Sequence, residues 1–133
     1  MLLLAVIALG VLTVALTASA APKNLVFILD ASNSMNKPFD SGTRLDAAKA
    51  ALIDLLDLTS KLDRAGLYVF GHRIGKDDSE ASCQDIEALF PLLPRDAADN
   101  PDVTAAINGI EAQGMTPIAD ALVAASNALS GYG

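Results

Sequence analysis

Apolar and polar positions along this chain change period from block to block, and the changes divide it into elements. Residues 1–17 are apolar apart from Gly10, Thr13 and Thr17, and no face of the segment is polar. Asn24-Leu-Val-Phe-Ile-Leu-Asp30 is a short, wholly apolar run closed by an acid. Such a run predicts a strand buried on both faces, as in a parallel sheet covered by helices. Residues 30–42 are polar and turn-rich. Leu45, Ala48, Leu52, Leu55 and Leu56 then recur at helical spacing, with Asp46, Lys49, Asp54, Asp57 and Lys61 mostly on the other side. Thr43 stands three residues before Asp46, the spacing of a capping box. Residues 65–70 return to a short apolar run. Strand, helix and strand in this order make the βαβ unit of an α/β fold, in which parallel strands carry helices on both faces.

Beyond it the pattern is looser. Residues 71–82 read as a polar loop. Residues 86–90 form a further strand, placed at a sheet edge because Pro91 and Pro94 are expected to stop it. Residues 102–112 predict a helix with Val103, Ala106, Ile107 and Ile110 inward, ended by Gln113-Gly114. Thr116 is the expected N-cap of a last helix, with Pro117 at its first position. Ile118, Ala121, Leu122, Ala125 and Leu129 form its inward stripe, and Asp120 is a first-turn acid favoured by the helix dipole. No repeat or low-complexity linker divides residues 21–133, which read as one domain.

Composition gives the first segment a purpose. It carries no charge, so residues 21–133 hold all 9 basic and 16 acidic residues of a chain with net charge −7. The apolar run of residues 1–17 is long enough to enter a bilayer and ends in Ala18-Ser19-Ala20, the small-x-small pattern of signal-peptidase sites. Residues 1–20 are therefore expected to be a signal peptide, or an uncleaved N-terminal anchor, since no Lys or Arg follows Met1. Either places the domain outside the cytoplasm: secreted, periplasmic, at the cell surface, or tethered to a membrane only through this segment. A net charge of −7 with no basic cluster argues against nucleic acid as partner and suits a metal ion. With Cys83 as the single cysteine, an internal disulfide framework and a Cys-based zinc site are excluded.

The chemistry concentrates in Asp30-Ala-Ser32-Asn-Ser34, at the C-terminal end of the first strand. In open α/β sheets ligands bind outside that end. One carboxylate and two hydroxyls offer only oxygen, a donor set for a hard cation such as Mg²⁺, which takes six oxygens at about 2.0–2.1 Å and keeps several waters. A single carboxylate leaves the ion underneutralised, so it would still want an acidic ligand. The alternative is that Asp30, Ser32 and Ser34 only cap turns, as these residue types often do. Gly114-x-Thr116-Pro117 supplies another hydroxyl at a loop-to-helix junction.

Asp30-x-Ser32-x-Ser34 followed by Gly114-x-Thr116-Pro117 resembles the metal-ion-dependent adhesion site of the von Willebrand factor type A domain, in pattern and order. The resemblance covers residues 23–133, and Gly71-His72-Arg73 with Cys83-Gln-Asp-Ile-Glu87 is similar to the bacterial extracytoplasmic members. It implies a three-layer Rossmann-like α/β fold with an open, mostly parallel sheet. It implies that Ser32, Ser34 and Thr116 contact the metal, Mg²⁺ or alternatively Mn²⁺ or Ca²⁺, and that Asp30 acts through a bound water. It implies a protein partner that supplies a carboxylate to the open coordination position. The family also has a last site aspartate, in a Ser/Thr-Asp-Gly turn after a further strand. No residue follows Gly133, so the expectation is a C-terminally incomplete domain, the first half to two-thirds of the fold. By the same resemblance Cys83 is half of a disulfide with a cysteine beyond that turn; the other reading is a buried thiol.

The remaining candidates are weaker. His72 has no Asp/Ser or Cys partner pattern and reads as a structural hydrogen-bonding residue, and Asp77, Asp78 and Glu80 as a solvated acidic loop. A haloacid-dehalogenase phosphatase needs a second acid where Ser32 stands, and no Gly-x-Ser-x-Gly, Gly-x-x-x-x-Gly-Lys or His-Glu-x-x-His motif occurs. A binding module, not an enzyme, is therefore expected. A metal-bearing subunit of a chelatase-like or AAA-associated complex is the alternative, opposed by the leader.

Overall fold

The structure is a computed structural model that describes residues 21–59, 61, 63–94 and 101–132; residues 1–20, expected to be a signal peptide or anchor, lie outside the described residues. The chain runs β1 (Asn24–Asp30), a 3₁₀ turn (Asn33–Asn36), β2 (Pro38–Phe39), β3 (Gly42–Thr43) and α1 (Arg44–Leu58). It continues through β4 (Arg64–Phe70), the single turn α2 (Ser79–Ser82), β5 (Ile86–Pro94), α3 (Pro101–Asn108) and α4 (Ile118–Ser130). The main sheet has the order β1-β4-β5. β1 and β4 pair in parallel from Asn24↔Arg64 to Asp30↔Phe70, with α1 as the crossover. β5 runs antiparallel to β4, and β2 and β3 form a small hairpin.

Phe27 and Leu29 of β1 share a face with Ala65, Leu67 and Val69 of β4, and pack with Leu45, Leu52 and Leu56 of α1 and Val103 and Ile107 of α3. This is the larger core. α4 packs on β1, β4 and β5, and its buried Ala121 and Ala125 lie outside that cluster, so helices cover both faces. The α/β architecture expected from the strand–helix–strand pattern is the observed one.

The start of α1 follows its sequence signal. The Thr43 hydroxyl accepts from Asp46 N at 3.1 Å, and the Asp46 carboxylate accepts from Thr43 N at 2.8 Å and from the Thr43 hydroxyl at 2.7 Å. The Thr43 hydroxyl, then its backbone N–H, hold the Asp46 carboxyl below the ordinary aspartate range. Thr43→Ala should therefore lower the melting temperature by about 5 °C, read by circular dichroism.

Several local expectations are corrected. β5 does not stop at Pro91 but continues to Pro94. Both prolines are tolerated because β5 is an edge strand in the described sheet and its register with β4 shifts around Gly66, where Pro91 falls. α3 ends at Asn108 rather than Ala112. Lys49, assigned to the outer face of α1, is buried, and its ammonium donates to the carbonyls of Asn108 (2.9 Å) and Ile110, just where α3 ends. Leu55 is instead exposed. On α4 the buried line is Ala121 and Ala125, small residues that let the helix sit close to the strands, while Ile118 and Leu122 remain exposed. One turn of helix, α2, interrupts the loop after β4.

Candidate metal centre

The first half of the site is built by the turn that leaves β1. Asp30 Oδ1 accepts from Ser32 N at 2.7 Å, a carboxylate closing a turn on its own backbone. This rotates the chain into the 3₁₀ turn, where Ser32 is the N-cap residue and its carbonyl accepts from Met35 N at 2.9 Å. Asp30 thus closes a turn, as its residue type often does, and the turn leaves the Ser32 and Ser34 hydroxyls 3.2 Å apart. Ser32 is 1% exposed, whereas Ser34 faces solvent.

The second half is the Gly114–Thr116 loop, brought in by long-range backbone pairing. Ser32 and Gly114 form a parallel bridge, with Asn33 N donating to Gly114 O at 2.8 Å and Gln113 N to Ala31 O at 3.1 Å. Asn36 Nδ2 donates to Ala112 O at 2.7 Å. The loop is also locked to Gly71, which follows β4: Gln113 N and Gly114 N both donate to Gly71 O. Gly71 has φ +73°, and a Cβ there would lie 2.7 Å from Met115 O and 3.0 Å from Ser32 Cα. A Cβ on Gly114 would lie 2.5 Å from Ile74 O and 2.7 Å from Ser82 Oγ. Only glycine lets the three segments meet this closely.

Thr116 lies two residues beyond that bridge and is exposed. It is not the helix cap: Pro117 holds that position, and the Thr116 carbonyl accepts from Ile118 N at 2.9 Å. The hydroxyl is thereby left out of capping. Asp120 occupies the first turn of α4 as expected.

Ligands in adjacent positions of a Mg²⁺ octahedron lie about 3 Å apart, and the 3.2 Å between the Ser32 and Ser34 hydroxyls fits that spacing. By residue type, Asp30, Ser32, Ser34 and Thr116 offer one carboxylate and three hydroxyls, oxygen donors of the kind that Mg²⁺, Mn²⁺ or Ca²⁺ takes. Among the described residues no group of three or more His, Cys, Asp or Glu side chains is placed to hold an ion.

The loop after β4 holds residues that the sequence reading passed over. The buried Asp85 carboxylate accepts from Arg73 N at 2.8 Å, Ile74 N at 3.1 Å and Arg73 Nε at 2.7 Å. Burial pushes its carboxyl up, but these hydrogen bonds and the Arg73 charge outweigh it and leave the group below the ordinary aspartate range. Ser82, 0% exposed, donates to Ile74 O at 2.9 Å and accepts from Met115 N at 2.7 Å. A polar residue inside a loop carried no periodic signal that could have singled it out. His72 is the hydrogen-bonding residue expected, its Nε2 lying 2.7 Å from Glu87 Oε2. Asp78 caps α2, accepting from Ala81 N at 3.2 Å, while Asp77 and Glu80 are exposed. Cys83 is exposed rather than buried, a free thiol among the described residues.

Comparison with known proteins agrees with this fold. The von Willebrand factor type A domain family matches residues 25–133. An uncharacterized protein of Bacillus subtilis (strain 168), YwmC, is 28% identical over 106 residues, covering 80% of this chain and 46% of that protein. The crystal structure of an uncharacterized membrane spanning protein from Vibrio fischeri superposes with a TM-score of 0.52 at 22% identity, over 80% of this chain and 49% of that one; at that identity the likeness is one of fold. The chain thus spans about half the length of these relatives. Among the described residues no helix is long and apolar enough to cross a membrane. The family match covers nearly the whole of the described chain, and the protein belongs to the von Willebrand factor type A domain family.

Proposed function

We propose that this von Willebrand factor type A domain is a protein-binding module that recognises an acidic group on its partner through a divalent cation, Mg²⁺ first. Ser32, Ser34 and Thr116 would hold the ion by side-chain oxygen and Asp30 through a water. The observation that carries this reading is the pair of hydroxyls 3.2 Å apart at the C-terminal end of β1. When bound, the ion supplies a positive charge with room for an oxygen ligand. The chain's own residues do the rest. Asp30 accepts from the Ser32 amide, Ser32 is buried, and Ser34 is exposed to solvent. With one carboxylate in the set, an acidic ligand completes the charge balance. The role proposed is binding rather than catalysis.

The test is selection from a random peptide library on the immobilised chain in Mg²⁺. Retained peptides should carry Asp or Glu, lose binding as their Asn or Gln counterparts, and elute with a chelator. Peptides held equally well in chelator would contradict the reading.

We also propose that the domain works outside the cytoplasm. Expressed in a host with a secretion pathway, the exported product should begin at Ala21 by intact mass. Soluble cytoplasmic protein retaining Met1 would contradict a cleaved leader.

A further inference from the structure

Thr116 belongs to a loop whose position depends on neighbours far away in sequence. On one side the loop is tied to the Ser32 turn through the Asn33–Gly114 hydrogen bond. On the other side it meets the loop after β4, and there the contact at the residue before Thr116 is a side chain. Ser82 Oγ accepts from Met115 N at 2.7 Å while donating to Ile74 O at 2.9 Å. A hydroxyl that gives one hydrogen bond and takes another has its rotation fixed. Its carrier is fixed as well. Ser82 is 0% exposed, its N–H donates to Asp78 O at 2.8 Å, and its carbonyl accepts from Asp85 N at 3.3 Å. The Asp85 carboxylate in turn gathers Arg73 N, Ile74 N and Arg73 Nε. Asp85 thus stiffens the very segment whose carbonyl Ser82 uses.

We infer that Ser82 is a positioning residue for the metal-binding Thr116. It touches no ligand; it holds the Met115 amide so that the next residue's hydroxyl is delivered to the same place each time. This deepens the metal-site reading proposed above and rests on it. Without the hydroxyl, Met115 N–H and Ile74 C=O both lose a partner; the loop keeps its bonds to the Ser32 turn and, at Gln113 and Gly114, to Gly71, but the Met115 amide beside Thr116 is released. The ion would then recover the Thr116 oxygen at the cost of ordering the loop, and affinity should fall by about three- to tenfold, the size of one neutral hydrogen bond.

The experiment is a double-mutant cycle in Mg²⁺ affinity, measured by calorimetry on the full chain with Ser82→Ala, Thr116→Ala and the pair. Each single variant should weaken binding, and the pair should bind no more weakly than Thr116→Ala alone, since a hydroxyl that is absent cannot be positioned. Multiplicative losses would mean that Ser82 acts on the fold in general and would overturn the inference. So would full affinity in Ser82→Ala alongside a loss in Thr116→Ala. If Thr116→Ala binds as tightly as the parent, it is the metal-site reading that fails. Should Ser82→Ala not fold, hydrogen exchange of the unaltered chain decides. Saturating Mg²⁺ should slow exchange of the Met115 amide several-fold, by the reciprocity of linked equilibria, and an unchanged Met115 rate would overturn the inference.

Discussion

Asp30→Ala is expected to weaken Mg²⁺ binding about a hundredfold, more than any other single change at the site. Asp30 is the carboxylate of the assigned donor set, at the end of β1 where the chain turns into Ser32 and Ser34. At an effective dielectric of about 20, a unit charge pair 4 Å apart is worth about 4 kcal/mol. A divalent cation doubles that, but the water between carboxylate and ion and the cost of desolvating both return most of it. About 2.7 kcal/mol net corresponds to the hundredfold loss. Alanine also leaves Ser32 N–H without its acceptor, so Asp30→Asn is the companion variant: its amide oxygen keeps that hydrogen bond and removes only the charge. It should lose nearly as much affinity while melting close to the parent. Ser34→Ala should lose about five- to thirtyfold, because water replaces one neutral ligand. Ser34 is exposed, so stability should be unaffected. Calorimetric titration of the variants gives this ranking directly, and equal affinities across them would remove the ligand assignment.

The largest expected effect on stability comes from Gly114→Ala. A single methyl there would lie 2.5 Å from Ile74 O, 2.7 Å from Ser82 Oγ and 2.8 Å from Gly71 Cα. Two of these three are backbone atoms, each held by further hydrogen bonds, so none yields cheaply. Overpacking of this kind costs about 1–3 kcal/mol, and displacing the Ser82 hydroxyl adds about 1 kcal/mol for each hydrogen bond broken. A loss of about 3–4 kcal/mol should lower the melting temperature by about 15–25 °C for a domain of this size. Gly109→Ala is the control, since a Cβ there meets nothing closer than 3.5 Å and should cost little. A Gly114→Ala protein melting with the parent would mean that the loops do not approach as described.

What the sequence made legible, and what it did not, divides along range. β1, α1 and β4 were readable because each carries its own signal: an unbroken apolar run, a capping box, a helical period. The Asp30-x-Ser32-x-Ser34 turn was readable for the same reason, since its hydrogen bonds close within a few residues. Errors arose where a partner distant in sequence decides. Lys49 looks like an outward-facing base on a helix, and becomes a buried clasp only because α3 ends opposite it. α3 itself ends earlier than its apolar spacing indicates. Pro91 and Pro94 break strands that need every N–H, but β5 is bonded on one side only among the described residues. Ser82 and Asp85 sit in a loop with no period at all; the resemblance of Cys83-Gln-Asp-Ile-Glu87 marks the segment of Asp85 but not its role, which, like that of Ser82, depends on Gly71, Ile74 and Met115 arriving beside them.

Manganese offers the most direct view of where a divalent cation sits, because it replaces Mg²⁺ at oxygen sites and broadens the NMR signals of nuclei near it. Substoichiometric Mn²⁺ added to the isotope-labelled chain should broaden the amides of residues 31–35 and 114–116 first, and excess Mg²⁺ should restore them. Broadening that begins instead at Asp77, Asp78 and Glu80, or that spreads evenly over the acidic surface, would contradict a metal centre built from Asp30, Ser32, Ser34 and Thr116.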